Sequence, residues 1–151
     1  MRDTITRGIL AGAIATPIQA GLNWIWLITG LTNSTVTQLI TRALLLIPAQ
    51  QAITPVQSII GLIGHFIVGL VFATIMSYLF RSTGHDFYLL KGLGIGTLLW
   101  IFNLAVMPYL AVLPVMRPVS LAVLHLVDHA VWGLLTAYLL RVFYTAPAEE
   151  H

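Results

Sequence analysis

The chain contains no cysteine. Disulfides, thiolate metal sites and cysteine-based catalysis are therefore excluded, while the redox compartment is left open. Charge is the second scarcity. Asp, Glu, Lys and Arg together make up 8% of the 151 residues, against about 25% in soluble domains. So few charges cannot cover a globule of this size, and lipid has to be the main solvent. Seven Lys and Arg against five Asp and Glu leave a formal charge of +2. That is no electrostatic footprint for nucleic acid, which is not expected as a partner.

Hydrocarbon fills the place of charge. Apolar residues make up 58% of the chain, and the mean hydropathy is +0.93. The length suits one domain, read here as a single transmembrane domain over 1–151. Four apolar stretches, at about 8–31, 56–80, 87–112 and 119–143, each exceed the roughly 20 residues that cross a bilayer as a helix. The first is too long for the apolar region of a signal peptide, so no cleaved leader is expected. Pro17 should kink it.

A fifth stretch, 35–47, behaves differently. Apolar residues at 36, 39, 40, 43, 44, 46 and 47 leave Thr37, Gln38, Thr41 and Arg42 apart from them. That pattern is an amphipathic helix too short to cross, lying in the interface or packing over the bundle. Thr32-Asn-Ser-Thr35 offers its N-cap and Pro48 its stop. The fold expected is all-α: an integral membrane four-helix bundle plus one short interfacial amphipathic helix. Arg2, Arg7, Arg81, Lys91 and Arg141 fall on one side of it, and only Arg42 and Arg117 on the other. The basic side should be cytoplasmic, which makes the protein multi-pass in the plasma membrane with both termini inside.

The chain also repeats itself. The first and third spans open on Arg7-Gly-Ile-Leu-Ala-Gly12 and Lys91-Gly-Leu-Gly-Ile-Gly96, both basic-Gly-xxx-Gly. The second and fourth carry His65-xxx-Gly69-xxx-Ala73 and His129-xxx-Gly133-xxx-Ala137. Two tandem helical hairpins are implied, related by an axis along the membrane normal. Gly8, Gly12, Gly69, Ala73, Gly92, Gly96, Gly133 and Ala137 are the expected packing residues. In lipid, close backbone approach replaces the hydrophobic force between helices.

Each span brings a polar group to a similar depth. Counting at 1.5 Å per residue puts Asn23, His65, Asn103, His125, Asp128 and His129 all about 10–16 Å below the outer end, and Gln19 about 18 Å. An ionisable group facing lipid there costs some 2.5–3.5 kcal/mol or more. The candidate site is therefore an inward-facing cluster of His65, Asn103, His125, Asp128 and His129. His65, His125 and Asn103 are the expected partners of Asp128. The tryptophans near span ends, Trp24 and Trp26 among them, read as interfacial anchors.

Three functions compete for this cluster. It could be a hydrogen-bonded plug that fixes helix register. It could hold a metal or haem, because His125-xxx-His129 sets two imidazoles on one helical face and His65 offers a third nitrogen. It could also pass a proton or a small ligand through His65, Asp128 and His129. The plug requires no cofactor and no catalysis, and no enzyme is expected. Gly92-Leu-Gly-Ile-Gly96 follows no strand and is no dinucleotide fingerprint. His85-Asp86 reads as a solvated turn pair.

Tyr88-Leu-Leu-Lys-Gly-Leu-Gly-Ile-Gly-Thr-Leu-Leu-Trp100 and His129-Ala-Val-Trp-Gly-Leu-Leu-Thr-Ala137 resemble a group of small, uncharacterised four-span membrane proteins of spore-forming and related bacteria, the YqhR-like group. The likeness implies bacterial origin, four spans and the plasma membrane, and nothing about chemistry. The partners expected are the bilayer and either a second copy or another membrane protein.

Overall fold

The computed structural model describes residues 3–106 and 119–145, and every regular element among them is a helix. These are α1 (Thr4–Ile28), α2 (Val36–Leu45), α3 (Pro55–Thr83), α4 (Tyr88–Ile101) and α5 (Val119–Thr145). A π-helical stretch, Phe102–Val106, continues α4. The end of the expected third span (107–112), the turn bearing Arg117 and the polar tail lie outside the described residues.

Local chemistry sets the helix starts. Asp3 caps α1, accepting from the Thr6 N–H at 2.6 Å and from the Thr6 hydroxyl. Those bonds, the hydroxyl's first, hold the Asp3 carboxyl below its ordinary range. Thr35 and Gln38 form a reciprocal capping box at α2, with bonds of 2.9 and 3.2 Å. Thr54 and Gln57 do the same at α3, where Pro55 takes the first helical position. Such a box satisfies two N–H groups that the first turn leaves orphaned. Leu46, in the left-handed region at φ 51°, ends α2. Arg42 then ties the following loop through the carbonyls of Pro48 (2.6 Å) and Gln51 (3.0 Å).

Among the described residues, three helices are long and apolar enough to cross a membrane: α3, α4 with its π-helical extension, and α5. α1 has comparable length, 25 residues, but Thr16, Pro17, Gln19 and Asn23 dilute its hydropathy. Burial is inverted relative to a soluble bundle. Large side chains such as Ile59, Ile63, Ile67, Val71 and Ile75 are exposed along α3, whereas Gly61, His65, Gly69 and Ala73 are buried. Along most of α3 small and polar residues face inward and aliphatic ones outward, the pattern expected of a helix solvated by lipid, while Met76 and Phe80 near its end are buried as in any core.

The main contacts join α1 to α3, α4 to α5, α2 to α3, and α1 to α5. A Cβ at Gly12 would meet the Gly69 carbonyl and Ala73. One at Gly92 would meet the Gly133 carbonyl and Ala137. The expected packing residues thus pair within each hairpin, but in a register one turn away from the match of basic-Gly-xxx-Gly motifs. Gly12 takes the place of Gly92, not of Gly96. Thr16 stands where Gly96 would, and it seats on Gly69. A two-glycine match in sequence cannot fix such a shift, because neighbouring turns of a helix present the same face.

α2 covers the early turns of α3. Thr41 lies against Gly61, and Leu44 and Ile40 lie against Gly64. Of the two positions foreseen for α2, interface or bundle, the contacts place it over the bundle.

The end where α1 begins and α5 finishes is basic and aromatic. Arg7 sits over the Tyr144 ring at 4.1 Å, Arg141 over Tyr88 at 4.5 Å and Lys91 over Phe80 at 5.9 Å. Ser77 donates to the Thr4 carbonyl at 2.7 Å, and the Tyr144 hydroxyl donates to the Ser77 carbonyl at 3.1 Å. His85 packs its ring on Phe80 and Tyr144. It is therefore part of the packing at this end, where a solvated turn pair was expected.

Candidate functional site

The corrected register reaches into the polar layer. Eleven residues on from Gly12 and Gly92 stand Asn23 and Asn103. The hairpins therefore place an asparagine on the first helix and a histidine, His65 or His129, on the second. The copies differ just before the histidine. In α3 those positions are Gly61 and Gly64, beneath α2. In α5 they are His125 and Asp128. The second copy carries polar side chains where the first makes room for α2.

Asp128 is fully buried, and its carboxylate collects donors from two helices. Asn23 Nδ2 donates to Oδ2, Trp26 Nε1 donates to Oδ1 at 2.7 Å, and His125 Nδ1 lies 3.4 Å from Oδ2. Of the expected partners only His125 is there. His65 and Asn103 bond elsewhere, because α1 packs on α5 and delivers Asn23 and Trp26 first. Trp26 is thereby a ligand of the carboxylate, and the interfacial role fits Trp24, which is 59% exposed.

Asn23 is the hub. Its Oδ1 accepts from the Val36 N–H at 2.8 Å, which ties the start of α2 to α1. One turn back, Gln19 Oε1 lies 3.3 Å from His65 Nε2. A carbonyl oxygen can only accept, so Nε2 carries the hydrogen and Nδ1 accepts from the Thr37 hydroxyl at 3.0 Å. The same logic fixes His129. Its Nδ1 donates to the His125 carbonyl at 2.6 Å, and its Nε2 accepts from Asn103 Nδ2 at 2.9 Å. Asn103 belongs to the π-helical stretch. Such stretches are wider than an α-helix and recur at functional sites.

The network therefore runs from Thr37 on α2 through His65, Gln19, Asn23, Asp128, His125 and His129 to Asn103, touching every helix. Below it Trp132, fully buried, donates to Thr16 Oγ1 at 3.2 Å. All five residues of the expected cluster are buried in it: His65, Asn103, His125, Asp128 and His129. Gln19, Asn23, Trp26, Thr37, Thr16 and Trp132 were not among them. The i,i+4 spacing of Gln19 and Asn23 was the available signal, and Trp26 gave none.

The whole chain fits one family. It belongs to DUF6789, a family of unknown function, whose model matches residues 2–151. No curated protein and no solved structure matches it.

The geometry of this DUF6789 member bears on the metal reading. His125 and His129 share a helical face, but their Nδ1 atoms turn to different partners, that of His125 to Asp128 and that of His129 to the His125 carbonyl. Both nitrogens of His129 and both of His65 are committed to hydrogen bonds. Among the described residues, no group of three His, Asp or Glu side chains is arranged to hold a metal ion. Three atoms of the layer stay without a partner among the described residues: Gln19 Nε2, Asn103 Oδ1 and His125 Nε2. They are a donor, an acceptor and an imidazole nitrogen on residues at least 93% buried.

Proposed function

We propose that this protein is a non-enzymatic, multi-pass component of the bacterial plasma membrane whose buried polar layer fixes the register of its helices. In this reading α1 is the fourth span, and both termini of the chain face the cytoplasm. Clustering of Arg7, Arg81, Lys91 and Arg141 at one end supports that orientation. The resemblance to small bacterial four-span proteins supports the membrane. One observation carries the structural role: Asp128 is enclosed by donors from Asn23, Trp26 and His125. A carboxylate bonded at both oxygens holds α1 against α5 and keeps at most one lone pair, on Oδ1, for anything else. His65 and His129 are equally committed, which favours a plug over transfer through those three side chains.

Two measurements test this reading. Reporter fusions to the Arg81–Lys91 segment are expected to read cytoplasmic, and an external reading would overturn the orientation. His129→Ala strips Asn103 of its partner at full burial. It should lower stability in mild detergent by about 1–3 kcal/mol, the cost of an unmade buried bond, while membrane insertion persists. An unchanged unfolding midpoint would refute the register-fixing role of that pair.

A further inference from the structure

One of the three unpartnered atoms of the layer, His125 Nε2, stands on α5 one turn in from a cleft. At the end of the bundle where α1 finishes and α5 begins, a cleft of about 230 Å³ is lined by Gly30, Leu31, Thr32, Asn33, Ser120 and Leu121. Its lining is largely polar, unlike the lipid-facing surface. Thr32 is 9% exposed, and its hydroxyl oxygen is also buried without a partner. Leu121, 4% exposed, forms part of the cleft wall. His125 lies on the same face of α5 one turn further in, about 6 Å along the axis. Its Nδ1 is turned to Asp128 and its Nε2 to no protein group.

An amide N–H, an amide carbonyl and an imidazole nitrogen left unpaired inside a bilayer are each expensive, with no lipid group to satisfy them. Water would satisfy each of them, since one molecule both donates and accepts and seeks two to four polar partners, and its entry requires the packing that buries them to open locally. The inner side is closed. Trp132 and Thr16 cross the bundle just below His129, and backbone meets backbone where Gly92 and Gly96 face Gly133. Among the described residues, the cleft is the polar opening next to His125 on α5.

We infer that the bundle contains a water-accessible half-channel that enters at the cleft between the α1–α2 loop and the start of α5 and ends at His125 Nε2. Its guest is water, or a small solute with the same ability to donate and accept. Asp128 acts as a positioning residue, holding the imidazole by Nδ1 so that Nε2 faces the guest. The inference rests on the proposed membrane setting, and on the proposed orientation for which side of the membrane the entrance faces.

Because the chain has no cysteine, single cysteines report water directly, a thiolate being reactive only where water reaches it. The probe is a charged, membrane-impermeant methanethiosulfonate, applied to right-side-out spheroplasts and to inverted vesicles. Ser120→Cys, Leu121→Cys and His125→Cys are expected to react at least tenfold faster than Ile67→Cys and Ile75→Cys, which face lipid. Thr136→Cys, beyond Trp132, should stay unmodified from either side. Since His125→Cys removes a donor to Asp128, Leu121→Cys, which leaves the network whole, is the second reporter. Folded protein in which neither Leu121→Cys nor His125→Cys reacts overturns the half-channel. Modification of Thr136→Cys overturns its closed inner end. Reaction confined to inverted vesicles overturns the orientation and leaves the half-channel standing.

Discussion

Gly133→Ala is expected to destabilise the bundle by at least about 1–3 kcal/mol, the usual cost of overpacking, and Gly133→Leu to prevent assembly. A Cβ at 133 would run into the Gly92 carbonyl, with the Gly96 Cα close behind. From the other side a Cβ at Gly92 would strike the Gly133 carbonyl and lie 2.6 Å from the Ala137 Cβ. These are backbone atoms and one methyl carbon fixed to the backbone, none of which can rotate aside. Relief requires α4 and α5 to separate, and separation pulls Asn103 away from His129. The control is built into the chain. At Gly21 and Gly94 an added Cβ meets nothing within 4 Å, so alanine there removes only glycine's conformational freedom. Gly21→Ala and Gly94→Ala should be neutral or stabilising by up to about 1 kcal/mol. Unfolding midpoints in mild detergent separate the two classes. A Gly133→Ala protein as stable as Gly94→Ala would remove the close contact as the basis of hairpin packing.

The existence of the helices was legible because hydrophobic length and the 3.6-residue period act within one segment. α2 was visible at 35–47, one residue beyond its start and two beyond its end. Its cap at Thr35 was marked by the local pattern Thr-x-x-Gln. Burial of His65, Asn103, His125, Asp128 and His129 was legible for a different reason: lipid leaves polar groups nowhere else to go. Partner choice was not. It depends on which helices pack side by side, and the contact of α1 with α5 brings Asn23 and Trp26 to Asp128 ahead of His65 and Asn103. Trp26 was misassigned because an indole near a span end carries the same sequence signal whether it anchors to the interface or donates inward. The repeat was visible in its motifs but one turn out of register, since Thr16 stands on the stripe where the second copy has Gly96. Only the small-residue contacts identify Thr16 as the equivalent and so pair Asn23 with Asn103.

Asp128→Ala is the substitution that should reach furthest through the molecule. It leaves Asn23 Nδ2, Trp26 Nε1 and His125 Nδ1 without their acceptor, on two helices at once. Removing one side of a buried charged contact costs about 3–5 kcal/mol in soluble proteins. In a membrane the figure falls, because helices that have come apart find other partners, and single interhelical bonds there average about 0.6 kcal/mol with a maximum near 1.7. Three bonds lost together set the expectation at about 2–5 kcal/mol. Asp128→Asn keeps the shape and one acceptor oxygen, so it should fall between alanine and the native residue. A double-mutant cycle then locates the coupling. Asn23→Ala with Asp128→Ala should show an interaction of about 1–2 kcal/mol, whereas Asn103→Ala with Asp128→Ala should be additive within about 0.5 kcal/mol, since those two share no partner. Coupling in both pairs would mean that the layer moves as one rigid unit. Coupling in neither, with Asp128→Ala as stable as the native chain, would mean that the glycine contacts alone set the register and that the carboxylate is kept for the water that reaches His125.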